Sequence, residues 1–247
     1  MSIRASGRQK LVFWGTVAAA LTVLIGLGTW QMERREWKLG LIERIEQRAH
    51  GEPISLTLAK ELWQRKGDVE YYRVLLVGRF RHEEERYLFT VEEGMPGWRV
   101  ITPLVTAGSD IVLVDRGFVP EALKDPGTRK EGLIAGAVEL IGLARAPLSP
   151  GWFTPAGDPV RNQWFARDVG GMTASLPPNE RAHVVPFLVE AEAENVPGGW
   201  PRGGVTRLTL TNRHLEYALT WYGLALTLIV VAIVLTRSRS HEAARQL

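Results

Sequence analysis

YALTWYGLALTLIVVAIVLT, residues 217–236, contains no charged residue, and LVFWGTVAAALTVLIGLGT, residues 11–29, contains none either. About 20 apolar residues in a helix are enough to cross the roughly 30 Å of hydrocarbon in a bilayer. No other stretch of the 247-residue chain approaches that length without a charge. The two runs therefore predict two transmembrane helices on either side of one large extramembrane domain.

Basic residues flank the outer ends of both runs. They are Arg4, Arg8 and Lys10 before the first run, and Arg237, Arg239 and Arg245 after the second. Cytoplasmic segments of membrane proteins carry an excess of Lys and Arg, so both termini are expected in the cytoplasm. Arg34, Arg35 and Lys38 oppose this orientation, but Glu33 and Glu36 accompany them, and a long domain is translocated largely regardless of its charge.

The predicted organisation follows from these flanks. In a bacterial inner membrane it comprises a cytoplasmic tail 1–10, a transmembrane helix 11–30, a periplasmic domain 31–213, a second transmembrane helix 214–236 and a cytoplasmic tail 237–247. A cleaved signal peptide is the alternative for the first run. Its apolar part is too long for that class of segment, and no A-x-A-like cleavage site follows it.

Composition excludes several classes of function. The chain has no cysteine, which excludes disulfides, thiolate nucleophiles and cysteine-based metal sites. A net charge of +3 without a Lys/Arg run among aromatic residues argues against a nucleic-acid partner. The sequence also lacks the G-x-S-x-G, H-E-x-x-H and P-loop motifs, so the protein is not expected to be an enzyme.

Between the apolar runs, helical spacing gives way to strand patterns. WQMERREWKLGLIERIEQRA, residues 30–49, continues the first helix as an amphipathic stalk that Gly51 and Pro53 end. A short helix is expected around Thr57–Gln64, and Gly67 with Asp68 ends it. Runs rich in β-formers and separated by Gly, Pro or Asp then predict strands: YYRVLLVGRF, RYLFTV, GWRVITPLVT, DIVLVDRGFVP, LIAGAVELIGLARA, VVPFLVEAEA and VTRLTLTN.

Short links between strands favour antiparallel pairing of neighbours. The stretch around residues 147–165 and NVPGGWPRGG are expected to be loops, and DVGGMTASL a short helix capped by Asp168. The predicted fold is an α+β membrane protein, in which two transmembrane helices flank a mainly antiparallel, barrel-like β domain with helical additions.

Four of the five histidines are expected to have structural roles or to be exposed. His82 lies among acidic residues in RHEEER, which could indicate a metal site, but a solvated turn between two strands is the simpler interpretation. His50, His183 and His241 stand alone at a helix end, before a strand and in a tail. Gly28 in the first apolar run is expected to allow close packing of helices, with the start of the second helix near His214 as its partner.

His214 has a different neighbourhood. Asn212 is a candidate N-cap, which places His214 in the first turn of the second helix, with Tyr217 and Trp221 at i+3 and i+7 on the same face. Imidazole is a common axial ligand of haem iron, aromatic side chains suit the flat macrocycle, and Arg213, Arg34 and Arg35 could meet its propionates. The alternative is an ordinary aromatic belt at the membrane interface.

Several stretches resemble the Surf1 (Shy1) family of cytochrome c oxidase assembly proteins of bacterial and mitochondrial inner membranes. They are LGTWQMERREWKLGLI at 27–42, YYRVLLVGRF at 71–80, GWRVITPL at 97–104, VLVDRGFVP at 112–120, NQWFARD at 162–168 and NRHLEYALTWYGLA at 212–225. The chain carries Phe118 where the family often has Trp, a change that a protein core is expected to tolerate.

The resemblance implies a role in building the haem a-containing subunit I of the oxidase. It implies haem a as the cofactor, with His214 at the position of the family's implicated ligand, and subunit I and the haem a synthesis machinery as partners. A non-haem scaffold that docks on an assembling subunit is the main alternative. An enzyme that oxidises haem is a third class, but nothing else in the sequence offers the machinery it would need.

Overall fold

The computed structural model describes residues 7–193, 195–204 and 211–244. The chain divides into a helical unit, Met1–Arg44 with Thr209–Leu247, and a β-rich unit, Ile45–Leu208. The predicted strand VTRLTLTN lies largely outside the described residues.

Two long helices contain the apolar runs. Helix α1 is Gly7–Ala49 and helix α5 is His214–Ala244. Their apolar segments have mean hydropathies of 2.1 and 2.3, and both are long and apolar enough to cross a membrane. At 1.5 Å per residue, the 43 residues of α1 extend about 65 Å, twice the hydrocarbon thickness, so the predicted continuation beyond the first apolar run is confirmed.

The helical unit buries small residues and exposes large apolar ones. On α5, the side chains of Ala218, Ala225 and Ala232 are buried at intervals of seven residues, while Leu219 and Leu226 are exposed. Small residues at a helix interface are typical of membrane helix pairs, in which large side chains face lipid instead of water. Together with the hydropathy of both helices, this distribution makes the chain a membrane protein.

The β-rich unit is a closed mixed barrel. Its strands are β1 Ile54–Ser55, β2 Arg73–Phe80, β3 Arg86–Glu92, β4 Met95–Thr106, β5 Ile111–Pro120, β6 Ala137–Arg145, β7 Gln163–Trp164 and β8 Val184–Ala191. They follow the order β1-β2-β6-β8-β5-β4-β3-β7, and an additional β2–β4 pairing, with Gly78 opposite Thr106, closes the sheet.

The barrel-like prediction is thereby confirmed, and the long hairpin-linked pairs are antiparallel as expected. Three pairs are parallel, namely β1–β2, β3–β7 and β5–β8. Strand β8 inserts between β5 and β6, which are consecutive in the chain, so the expected pairing of neighbours fails at that point.

Strand β5 is buried on both faces because it separates two apolar clusters. Val112 and Val114 face the barrel interior with Phe187 and Leu104, while Leu113 faces a second cluster with Met172. Alternation of side chains along a strand accounts for this division. Phe118 on the same strand is buried, as expected for a core position.

Short helices cover the barrel, with ends that the sequence specifies. In α2, Leu56–Lys66, the Ser55 hydroxyl accepts a bond from Leu58 N, and Gly67 ends the helix with φ +62°. In α3, Val169–Thr173, the Asp168 carboxylate accepts a bond from Gly171 N at 3.0 Å, as predicted. Helix α4 is Pro178–Arg181.

Two predicted loops are more ordered than expected. Residues 195–204 form a bridge to β5, since Phe118 N donates to Arg202 O and Arg202 N donates to Phe118 O, each at 2.9 Å. The RHEEE segment contains a 3₁₀ turn, His82–Glu84, and the prediction that it is solvated is wrong because the Glu85 side chain is only 2% exposed.

Candidate functional site

The start of α5 places His214 as the first helical residue. Asn212 Oδ1 accepts a 3.4 Å bond from His214 N, so Asn212 supplies an oxygen to the helix start as expected, although Arg213 occupies the residue directly before the helix. Asn212 Nδ2 also donates to the backbone oxygen of Arg35 at 3.5 Å. The second of these bonds connects the start of α5 to α1.

The imidazole of His214 is hydrogen-bonded to a residue of α1. Its Nδ1 lies 2.7 Å from Oε1 of Gln31. A carbonyl oxygen can only accept, so in the neutral ring Nδ1 carries the proton and Nε2 keeps its lone pair. Among the residues that the structure describes, Nε2 of His214 has no hydrogen-bond partner, and the side chain is half-buried. This is the state in which a histidine can ligate a metal.

Aromatic side chains follow His214 along α5. Tyr217 is 55% exposed, and Trp221 is half-buried. Tyr222 lies on the side of α5 that meets α1, where its hydroxyl is 3.4 Å from the Thr29 hydroxyl. Tyr217 and Trp221 therefore offer apolar surface near His214, whereas Tyr222 belongs to the helix contact.

Two of the three predicted basic residues, Arg213 and Arg34, already have partners. Arg213 Nε donates to Glu216 Oε2 at 3.1 Å in an exposed pair, and such pairs are weak enough to exchange with other anions. The Arg34 guanidinium lies 4.5 Å from the ring centroid of Trp37. Neither partner was predicted from the sequence, although Glu216 at i+3 from Arg213 is a recognisable spacing.

A buried ionic cluster in the β-rich unit was not predicted. Glu85 accepts from Arg129 at 2.5 Å and from the Tyr87 hydroxyl at 3.2 Å, and Arg116 and His82 approach it within 3.5 and 3.6 Å. A cavity of about 290 Å³ adjoins the cluster. The ionic cluster connects β3 to the segment around Arg129, which indicates that the cluster has a structural role.

Opposing effects set the charge state of Glu85. Burial raises the pKa of this carboxyl group, but hydrogen bonds from His82 and Arg129 and the positive charges of Arg129 and Arg116 outweigh it. The pKa of Glu85 therefore lies below its usual value, and the cluster contains a carboxylate. Across the described part of the chain, no group of three or more His, Asp or Glu side chains is placed to hold a metal ion.

Two apolar helices of membrane-spanning length and a closed β-barrel define the class as a membrane protein with a barrel domain. A family model described as "SURF1 family" matches residues 18–226, which include Gln31, His214, Tyr217 and Trp221. The chain belongs to the SURF1 family, whose members are known as cytochrome oxidase assembly factors.

Individual relatives agree with the family match. The chain is 38% identical over 219 residues to Surfeit locus protein 1 of Xenopus tropicalis, covering 80% of this chain and 67% of the relative. It is 37% identical over 217 residues to Surfeit locus protein 1 of Homo sapiens, covering 81% and 69%. It is 35% identical over 252 residues to a SURF1-like protein of Monosiga brevicollis, covering 96% and 92%.

Proposed function

We propose that this protein assists the assembly of a haem-copper cytochrome c oxidase by binding haem a through His214 and promoting its incorporation into, or retention in, subunit I. The observation that carries the proposal is the 2.7 Å bond from His214 Nδ1 to Gln31, which leaves Nε2 available as a ligand. Membership of the SURF1 family supports the oxidase as the object of assembly. The proposed role is non-catalytic.

The residues at the start of α5 suit a haem group. When bound, haem would supply an iron centre that an imidazole nitrogen can ligate. His214 would provide that nitrogen, the exposed ring of Tyr217 and the half-buried ring of Trp221 would contact the macrocycle, and Arg213 would exchange Glu216 for a propionate. The apolar surface of the helices suits the long hydrocarbon tail of haem a.

The proposed location is a bacterial inner membrane, with both termini in the cytoplasm and the barrel in the periplasm. The basic outer flanks of the two apolar runs support this orientation. Haem would then be held at the outer membrane face. The proposed partners are subunit I and the haem a synthesis machinery, together with the lipid bilayer.

The experiment that tests haem binding compares two histidine variants in cells that make haem a. Purified wild-type protein should carry haem with an absorption spectrum that identifies haem a. His214→Ala should lose most of it. His183→Ala is the matched control, because its side chain is exposed at the start of β8, and it should retain the wild-type amount. A full haem complement in His214→Ala would contradict the assignment.

A non-haem scaffold is the second candidate, and an exposed turn of the β-rich unit favours it. Residues 147–157 contain no charge, and Thr154 N donates to Gly151 O at 3.0 Å in a turn that leaves Trp152 and Phe153 each 95% exposed. Exposed aromatic side chains of this kind are typical of protein contacts. If Trp152→Ser with Phe153→Ser abolished oxidase assembly while His214→Ala left it intact, the scaffold function would replace haem binding.

A further inference from the structure

Gln31 and His214 make a polar contact between α1 and α5, although 183 positions separate them in the sequence. Gln31 lies two residues beyond the end of the charge-free run 11–29, and its side chain is half-buried. The short distance of 2.7 Å shows a well-formed hydrogen bond to the imidazole. Gln31 is therefore placed to control the ring of His214.

We propose that Gln31 is the positioning residue of the haem ligand: its side-chain carbonyl holds the His214 ring in the tautomer that has Nδ1 protonated and Nε2 directed to the iron. This inference rests on the proposed haem-binding function. Histidines that ligate metals almost always donate their second N–H to an oxygen, which fixes the orientation of the ring and makes the ligand a stronger donor.

The choice of an amide has a chemical consequence. A carboxylate at position 31 would accept the same N–H but would draw its proton more strongly, which increases the electron density of the imidazole, and it would add a negative charge at the end of an apolar run. An aliphatic side chain would accept no bond and would leave the ring free to change tautomer and to rotate. The neutral carbonyl of Gln31 orients the ligand without a charge.

Other contacts between the two helices allow a matched control. The Thr29 hydroxyl bonds its own helix at Ile25 O and lies 3.4 Å from the Tyr222 hydroxyl, so it too links α1 to α5. This contact does not involve His214. Thr29→Val therefore removes an interhelical polar contact of similar kind without touching the imidazole.

The first measurement needs no haem. Nitrogen-15 NMR of histidine-labelled, haem-free protein in detergent distinguishes protonated from unprotonated ring nitrogens. Wild-type and Thr29→Val protein should show the proton of His214 on Nδ1, whereas Gln31→Leu should show a mixture or the other tautomer. An unchanged Nδ1 proton in Gln31→Leu would overturn the inference.

The second measurement uses haem-loaded protein. Gln31→Leu should bind haem about 10–100-fold more weakly and should raise the midpoint potential of the bound iron because the imidazole becomes a poorer donor. Gln31→Glu keeps the size of the side chain and should lower the potential. Equal effects of Gln31→Leu and Thr29→Val on affinity, with no change in potential, would show a packing role only and overturn the inference.

The two proposals fail in different ways. If His214→Ala keeps its haem, the haem-binding assignment is wrong whatever Gln31 does. If His214→Ala loses its haem while Gln31→Leu and Gln31→Glu keep wild-type affinity and potential, His214 is the ligand and the positioning role of Gln31 is wrong.

Discussion

Gly28 of α1 lies against the phenol ring of Tyr222 of α5: a Cβ atom built on Gly28 would be 2.5 Å from Cε1 and 2.8 Å from Cζ of that ring. Gly28 allows close packing of the helices, as the sequence predicted. The predicted partner, the start of the second helix near His214, is wrong. Tyr222 lies eight residues beyond His214, and the contact is with a side chain instead of a backbone. The residue of α1 that meets His214 is Gln31, one turn further along.

Replacing Gly28 should therefore destabilise the helix pair through Tyr222. Gly28→Ala adds a methyl group where no room exists, and overpacking of this kind costs about 1–3 kcal/mol. Combining it with Tyr222→Ala should recover much of the loss, since the obstructing ring is gone. Unfolding in mixed detergent micelles measures both effects as a double-mutant cycle.

Gly26→Ala is the matched control for this cycle. A Cβ at Gly26 would have nothing within 4 Å, so this change should leave stability unaltered or slightly improved. Equal losses for Gly26→Ala and Gly28→Ala would mean that the contact with Tyr222 does not hold the helices.

The buried pair of Glu85 and Arg129 should be important to the stability of the β-rich unit. Glu85→Gln removes the carboxylate that Arg129 bonds inside the protein, and breaking a buried pair from one side costs about 3–5 kcal/mol. Urea unfolding followed by tryptophan fluorescence measures the change. Glu83→Gln, two residues earlier and exposed, should change stability by less than about 0.5 kcal/mol.

Acidic pH should weaken the contribution of Glu85 to the stability of the β-rich unit. The pKa of Glu85 is lower in the folded than in the unfolded protein, so its stabilising effect is fully present above the unfolded value of about 4.3 and is lost as pH falls through the folded value. The stability difference between wild-type protein and Glu85→Gln should therefore narrow below about pH 4.3. A difference that stays constant between neutral pH and pH 3 would contradict a depressed pKa.

Local sequence patterns were sufficient for most individual elements. The charge-free runs predicted both long helices, alternation and turn residues predicted the six long strands that the structure describes, and Gly67 and Asp168 marked helix ends through their own backbone chemistry. These signals depend on residues within a few positions of one another. The two-residue strands β1 and β7 were missed because two residues are too few to show an alternation of apolar and polar side chains.

Partners that are distant in sequence could not be predicted in the same way. Arg129 lies 44 positions from Glu85, and the acidic residues around Glu85 match the pattern of an exposed turn, so the burial of that carboxylate depends on a guanidinium that no local pattern reveals. The position of β8 between β5 and β6 could not be predicted either, because no local pattern shows which strands β8 pairs with. At the candidate site, His214 and its aromatic neighbours were predicted, whereas the bond to Gln31 was not.

The aromatic residues near His214 should affect haem less than His214 itself. An aromatic contact contributes about 0.5–1.5 kcal/mol beyond area burial, so Trp221→Phe should weaken haem binding by no more than about tenfold. Tyr217→Leu should have a comparable effect. Haem titration of purified variants gives the comparison, and a complete loss in Trp221→Phe would mean that the indole holds haem by more than packing.

The proposed orientation predicts that the barrel and the chain end lie on opposite sides of the membrane. Gly108 is exposed in the turn between β4 and β5, where an inserted reporter should leave the strands intact. Alkaline phosphatase inserted there should be active, because it folds only in the periplasm, and the same enzyme fused after Leu247 should be inactive. Green fluorescent protein should be fluorescent after Leu247 and not fluorescent at Gly108, because it does not fold correctly after export from the cytoplasm. The basic flanks predict this result, whereas Arg34, Arg35 and Lys38 alone would favour the opposite one. An inactive phosphatase at Gly108 together with fluorescence there would place the barrel in the cytoplasm, and haem could then not be held at the outer face.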